Sequence, residues 1–452
     1  MIQTYFQKIS AWFGNDSSEP SAPLLSPDGK IKFYNSNKKI YNSFFTAITV
    51  GTVIAMIAII LYYVYAFASM YNGSTKFDWL LGIFSDFVVI MNYSLEESPY
   101  VVGDSSYPPI AIAILYPFAL ICKDVFAQFE FSEMTADELT AEVIIYPQFW
   151  VAILLFFAIC SLLIILLTSH LFGIKGKDRL KLGVMIMFSA PFIYTVMRGN
   201  TIYFALIFLV AFLILKDSKN PVARELSYVC LAIAGAIKLY PLFFGVFLLK
   251  DKKIFASFRV AVYFALIFGA SFFFFRNDFG DVSPFIDNLG GFMSNEVRLL
   301  ATNNLSISAQ LYKLLHLFVP GLSAESTLFS VINLTVIFAV FAISTYAAIA
   351  TKSNFSRYAI CFAIVVLIPT ISYFYVIIFS ILAFLEYIRI YGEMNIKKRI
   401  FYFIAFLFLF TSFVVIAKNF IPHSLIIMAI LAVEIISVIK ERQQIRAKRK
   451  SE

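Results

Sequence analysis

The chain has 452 residues, of which 60% are hydrophobic and 14% charged, and its mean hydropathy is +0.83. Soluble domains are about 45–50% apolar and about 25% charged, so a water-soluble globule of this length would have no surface on which to put such a sequence. The formal net charge of +8 comes from Lys and Arg at the chain ends and in short loops, where membrane orientation requires them, and these residues form no large basic module for nucleic acid.

A spanning helix takes about 20 residues, and with its connection about 35–40, so the length accommodates about eleven or twelve spans. The expected fold is therefore all-α: a polytopic helical membrane protein. Residues 1–42 are polar, with Ser and Pro in "DSSEPSAPLLSPDG" and lysines at Lys8, Lys30, Lys32, Lys38 and Lys39. They read as a partly disordered cytoplasmic tail with a short amphipathic start. The long apolar run begins only near residue 43, so no cleavable signal peptide fits. A first span over 43–66 follows, its start held inside by the basic tail.

Residues 67–108 contain Asp78, Asp86, Glu96, Glu97 and Asp104 but a single lysine, and the charge rule places them outside. Within them, "FDWLLGIFSDFVVIMNYSL" has apolar residues at helical spacing with Asp86 inside the run, which suits a helix lying at the membrane surface. Further apolar segments lie near 109–122, 147–172, 183–197, 200–216, 226–250, 256–275, 326–350, 358–388, 400–418 and 423–439. The stretch 358–388 is broken at Pro369 and reads as two short spans. Residues 276–325 form a second long external loop. The transmembrane domain runs over 43–440, and 441–452 is a basic cytoplasmic tail.

Two topologies satisfy this pattern. If every segment from 109 to 275 crosses once, "KGKDRLK" (175–181) and "KDSKNPVAR" (216–224) fall outside, against the positive-inside rule. If 109–122 is re-entrant and 226–250 is a hairpin broken at Lys238–Pro241, both basic loops return inside. The schemes agree on both termini and both long external loops.

A few residues are out of place for simple insertion. A charge at a helix centre costs about 2.5–3.5 kcal/mol even on the lenient insertion scale. Lys238, in "AIAGAIKLYPLFFGVFLL", reads either as a cationic site at a helix broken by Pro241 and lining a cavity, or as a lysine snorkelling to the interface. Arg198, beside Gly199 and Asn200, is a site cation or an interface anchor. Partial desolvation of Asp86 favours proton uptake and suits a general base; the alternative is a cap on a helix starting at Phe87. Asp104, before Ser105 and Ser106 at a turn into Pro108–Pro109, reads as a turn residue. Cys122, Cys160, Cys230 and Cys361 show no disulfide or metal-ligand spacing. His170, His316 and His423 are scattered. A lone Asp with no adjacent second acid argues against a divalent site, so neither a metal nor another cofactor is expected.

In this order, Asp86, "SYPPIAIAILYP", "MRGN", "GAIKLYPLFF" and "NNLSISAQLYKLL" resemble glycosyltransferase family 87, over most of residues 80–320. The resemblance implies a GT-C membrane fold and a mannosyltransferase-like enzyme that uses a polyprenyl-phosphate sugar. Asp86 matches the family's catalytic Asp in the first external loop. Tyr107, Pro108 and Pro109 match its Tyr-Pro-Pro motif, and Lys238 with Pro241 its Lys-x-x-Pro block. Gly199 and Asn200 match a Gly-Gln-x-Asn-like motif, with the departure that Asn200 directly follows the glycine. Asn304 and Ser306 match an Asn-x-Ser segment.

The implied chemistry is an inverting displacement. Asp86 takes the acceptor's proton, typically worth ~10²–10⁴ in rate. Lys238, or Arg198, Arg276 or Arg298, steadies the leaving polyprenyl phosphate. The acceptor would be a cell-envelope lipid-linked glycan or polysaccharide on the external face. The expected setting is a bacterial plasma membrane, crossed many times, with both termini cytoplasmic. Nothing in the sequence provides the glycine-rich helix terminus that would hold a nucleotide diphosphate. Two rival readings remain. A lipid-linked-sugar flippase or transporter would need coupling acids in mid-membrane. A polysaccharide polymerase or ligase would place Arg276, Arg298 and His316 in its external loop.

Overall fold

The computed structural model describes residues 33–71, 83–129, 134–411 and 421–451. Most of the expected N-terminal tail, Asp78 and the end of the 400–418 segment lie outside them. A backbone in hydrocarbon must satisfy its own hydrogen bonds, which leaves helices as the local solution for such apolar runs. Among the described residues the regular structure is helical, with one isolated bridge between Asn304 and Tyr373. The protein is an all-α polytopic membrane protein.

Among the described residues, six helices are long and apolar enough to cross a membrane: Pro109–Phe126, Pro147–Leu171, Ile254–Phe274, Thr327–Ala350, Phe374–Glu393 and Ile421–Ile445. The pair Lys177–Met187 and Ala190–Arg198 passes the same test only when its two halves are taken together, and it is bent by 60° where Ser189 and Pro191 interrupt the ladder. Ile202–Leu215, Tyr240–Lys250 and Asn354–Leu367 are shorter apolar helices. The first expected span falls within the 39-residue helix Phe33–Tyr71. Phe374–Glu393 is 78% buried over its apolar window and forms the centre, whereas Ile254–Phe274 and Thr327–Ala350, each 11% buried, present their sides outward.

The basic loops gather at one end of the bundle. Tyr41 Oη donates to the Asp178 carbonyl at 2.7 Å and Lys181 Nζ to Asn42 Oδ1 at 2.9 Å, fastening 175–181 beside the start of Phe33–Tyr71. Asn37 Nδ2 reaches the Arg389 carbonyl at 2.9 Å. Lys253 Nζ bonds Asp217 Oδ1 at 2.9 Å, and Lys216 lies 3.9 Å from Asp251, tying 216–220 to 250–253. The buried Arg357 donates to the Ala348 and Thr351 carbonyls at 3.0 and 2.6 Å and faces the Phe247 ring. These are orphan carbonyls at the end of Thr327–Ala350, a favourable place for a cation. Arg442 of the C-terminal helix donates to the Ala350 carbonyl, and Phe355 packs on Tyr387. The start of the first helix, loops 175–181 and 216–224, and the C-terminal helix thus share one end.

This sorting selects between the two topologies. Pro221–Ile237 leaves the basic end, breaks at Lys238, and returns through Tyr240–Gly245 and Val246–Lys250 to the salt-bridged 250–253 loop. Leu242 folds back so closely on Gly235 that a Cβ there would overlap it. Pro109–Phe126 is also re-entrant. It is four short helical turns, entering next to Tyr107 and leaving by Gln128, whose Oε1 accepts from Tyr146 Oη at 3.0 Å. Tyr146 opens Pro147–Leu171, whose Phe149 and Trp150 pack on Phe84.

The helix expected in the first external loop is Ser85–Leu95, and it differs from the expectation in its surroundings. Its residues from Ser85 through Ser94 are all buried. The re-entrant turns cover one side, with Phe87 against Phe118, and Ala136–Val143 covers another, so no stripe is left to lie on lipid. Exposed apolar residues appear instead in the second loop, at Ile286, Met293 and Val297.

Candidate active site

Asp86 stands in the first turn of Ser85–Leu95 and is 6% exposed. The helix starts at Ser85, after Phe84, whose left-handed backbone (φ 65°) turns the chain and whose N–H donates to the Met197 carbonyl at 2.6 Å. No side chain caps this helix, so Asp86 is not the cap considered as its alternative role. Its carboxylate is held from elsewhere. Arg198 Nη2 donates to Oδ1 in an ion pair, and Asn200 Nδ2 donates to Oδ2 at 2.7 Å. The Tyr107 hydroxyl lies within hydrogen-bonding reach. An ionised carboxylate offers about four acceptor sites, so these three donors leave room for one more, on the open side.

Arg198, Gly199 and Asn200 work as one element. Arg198 ends the helix Ala190–Arg198, and Gly199 closes it at φ 63°, the left-handed conformation that glycine adopts without a Cβ penalty. Asn200 is fully buried, and its Oδ1 accepts the Ile202 N–H at 3.0 Å while its Nδ2 holds Asp86. The glycine turn therefore aims two consecutive polar side chains at one carboxylate.

Asp86 and Arg198 line a cavity of about 370 Å³ together with Tyr93, Asp104, Tyr107, Asn288, Asn295 and Arg298. Burial, reinforced by the Asp86 charge, holds the Tyr107 phenol well above its usual range. Burial and Asp104 push Tyr93 up to about 12. Both hydroxyls therefore stay protonated as donors, Tyr93 to the Gly103 carbonyl at 2.6 Å. Arg298 stacks on Phe292 with its guanidinium 4.0 Å from the ring centre, and Nη1 lies 3.3 Å from Tyr373 Oη. Lys238 sits behind the cavity wall, its Nζ 5.0 Å from the centre of the Tyr107 ring and near enough to feel the Asp86 charge. Among the described residues no three His, Cys, Asp or Glu side chains converge.

Of the residues singled out in the sequence, the fold brings together Asp86, Tyr107, Arg198, Asn200, Lys238 and Arg298. Two are elsewhere. Arg276 is solvent-exposed and pairs with Glu97, an equally exposed carboxylate. Asn304 is a strut: its Oδ1 accepts the Ser306 and Ser372 N–H groups at 3.1 and 3.0 Å, and its Nδ2 donates to the Arg298 carbonyl at 3.1 Å. His316 packs against Tyr312, away from the cavity. Asn288 and Asn295 were not anticipated. With Gly291 and Phe292 they recur at i, i+3, i+4, i+7, a helical stripe legible in the 276–325 loop. Asp104, read as a turn residue, lines the cavity as well.

The model of glycosyltransferase family 87 matches residues 106–372. The matched stretch includes Tyr107, Arg198, Asn200, Lys238 and Arg298, while Asp86 lies ahead of it. No curated protein and no solved structure matches the chain.

Proposed function

The chain belongs to glycosyltransferase family 87, and from that premise we propose that it transfers a hexose from a polyprenyl-phosphate donor, with inversion. The acceptor is a lipid-linked glycan or polysaccharide of the cell envelope, used on the external face of a bacterial plasma membrane. The observation that carries this reading is the Asp86 carboxylate, oriented by Arg198 and Asn200 at the wall of a polar cavity. The cavity opens at the end opposite the basic loops, and the positive-inside rule makes that end external.

In the reaction, an acceptor hydroxyl donates to Asp86 and its oxygen attacks C1 of the donor sugar opposite the phosphate. The new glycosidic bond forms as the bond from C1 to the phosphate oxygen breaks. The polyprenyl phosphate leaves with the electron pair, and the proton passes to Asp86. Arg298, on the cavity wall, steadies the leaving phosphate, and Lys238 adds positive potential from behind the wall. Arg198 holds Asp86 in place through one nitrogen while its own face lines the cavity.

The test is transfer from a panel of radiolabelled polyprenyl-phosphate hexoses in membranes containing wild type or Asp86→Asn. The expected result is a labelled glycan with wild type and a loss of ~10²-fold or more with the variant at equal expression. Transfer unchanged by the substitution would remove Asp86 from the chemistry. Movement of labelled lipid across vesicles without any new glycosidic product would make the protein a flippase.

A further inference from the structure

Among the described residues, the polar side chains of the cavity divide into those already engaged and those, Asp104 and Ser106, that are not. Asp86 is occupied by Arg198, Asn200 and Tyr107, and Arg298 by Phe292 and Tyr373. The Asp104 carboxylate lines the same cavity, yet among the described residues it accepts no hydrogen bond and joins no ion pair. Its backbone is left-handed, with φ 47°, a conformation that costs energy in a residue other than glycine and gathers at functional sites.

The loop around it is clamped from three sides. Tyr93 Oη holds the Gly103 carbonyl, with Tyr93 so close that a Cβ on Gly103 would overlap its ring. Asn288 Nδ2 donates to the Tyr100 and Ser105 carbonyls at 2.8 and 3.3 Å. Ser98 donates to the fully buried Asp281, which also accepts from Asn277 at 3.0 Å.

We propose that Asp104, with Ser106 and Asn295 on the same wall, is a binding subsite for the hydroxyls of a sugar ring. The inference rests on the glycosyl-transfer reading and deepens it. A carboxylate has several acceptor sites and no donor, so it takes ligands rich in O–H groups and repels phosphate. Arg298, stacked on Phe292, supplies the opposite preference in the same cavity. The same cavity thus holds a group suited to phosphate, Arg298, and one suited to hydroxyls, Asp104.

Binding is measured on purified protein in nanodiscs by saturation-transfer NMR, with the methyl α-glycosides of glucose, mannose and galactose as probes. Polyprenyl phosphate without sugar is the second ligand. The variants are Asp104→Gly and Asp104→Asn. Glycine accepts the positive φ freely and asparagine tolerates it, so both remove the charge without straining the loop. At least one glycoside binds wild type, and both variants weaken it about tenfold or more, as expected for hydrogen bonds to a charged group. Polyprenyl phosphate is bound no more weakly by the variants than by wild type. Absence of glycoside binding, or equal binding by the variants, overturns the proposal. If Asp86→Asn abolishes transfer while the Asp104 variants bind glycosides as wild type does, this inference alone fails. If glycoside binding depends on Asp104 but no transfer is ever seen, the transfer reading fails instead.

Discussion

Gly199 touches Phe87 so closely that a Cβ on the glycine would overlap the Cβ of the phenylalanine. One contact thus joins the helix that carries Asp86 to the turn that carries Arg198 and Asn200. The Phe84 N–H to Met197 carbonyl bond lies alongside it. The ion pair between Arg198 and Asp86 joins positions 112 residues apart, and this seam sets its geometry.

Gly199→Ala is expected to damage both stability and activity. A left-handed non-glycine residue costs about 1–2 kcal/mol, and crowding a packed contact about 1–3 kcal/mol. The Cβ of Phe87 is next to the backbone and cannot swing away, so the two helices must separate. A lower thermal unfolding temperature and transfer reduced more than tenfold are the expected outcomes. Wild-type values of both would show that the seam is slack.

Asn200→Asp separates orientation from folding. The new carboxylate keeps an oxygen for the Ile202 N–H, so the start of Ile202–Leu215 stays capped. It also places an acceptor and a like charge where an N–H donor held Asp86 Oδ2. The expected result is a fall in kcat of tenfold or more with KM changed less, because catalytic groups must be held to about 0.5 Å. Wild-type kcat in Asn200→Asp, with only Asn200→Ala lowering the unfolding temperature, would instead make the residue a simple cap.

What the sequence made legible follows from how each group interacts. Lys238 stood out because a charge in an apolar run has few explanations, and Pro241 beside it signalled the break that the fold contains. The re-entrant and hairpin scheme was readable because the alternative puts the basic loops at 175–181 and 216–224 outside, against the positive-inside rule. The partners of Asp86 were not readable as partners. Arg198 and Asn200 drew attention singly, but nothing local encodes a contact across more than a hundred residues. The burial of Ser85–Leu95 was hidden for the same reason, since its covering elements come later in the chain. Asn304 misled because its local sign is genuine: an Asn whose side chain accepts from the residue two ahead is a turn device. In the fold it serves as that device and as a tie to Ser372.

Arg276 and Arg298 lie in one loop, 276–325, and should behave oppositely. The Arg276–Glu97 pair is exposed on both sides, and such pairs are worth about 0–1 kcal/mol. Arg276→Ala should therefore leave transfer within about twofold. Arg298 lines the cavity and is stacked on Phe292, so Arg298→Ala should cost more than tenfold in kcat/KM. Arg298→Lys should recover little, because a lysine ammonium lacks the flat face that stacks. Comparable losses from Arg276→Ala and Arg298→Ala would mean that the phosphate site reaches beyond the cavity.

The topology makes its own prediction. Loops 175–181 and 216–224 share an end with the start of the first helix and the C-terminal helix, whereas Asn288 and Arg298 lie at the cavity end. The four native cysteines are buried, so single introduced thiols can be followed against a quiet background. Asp287→Cys, on an exposed position beside the cavity, should react with a membrane-impermeant maleimide in intact cells. Lys219→Cys, in the basic loop, should react only after the membrane is opened. Reaction of both in intact cells would require a crossing in Pro109–Phe126 or in the 221–250 hairpin, and would move Lys238 away from the Asp86 end.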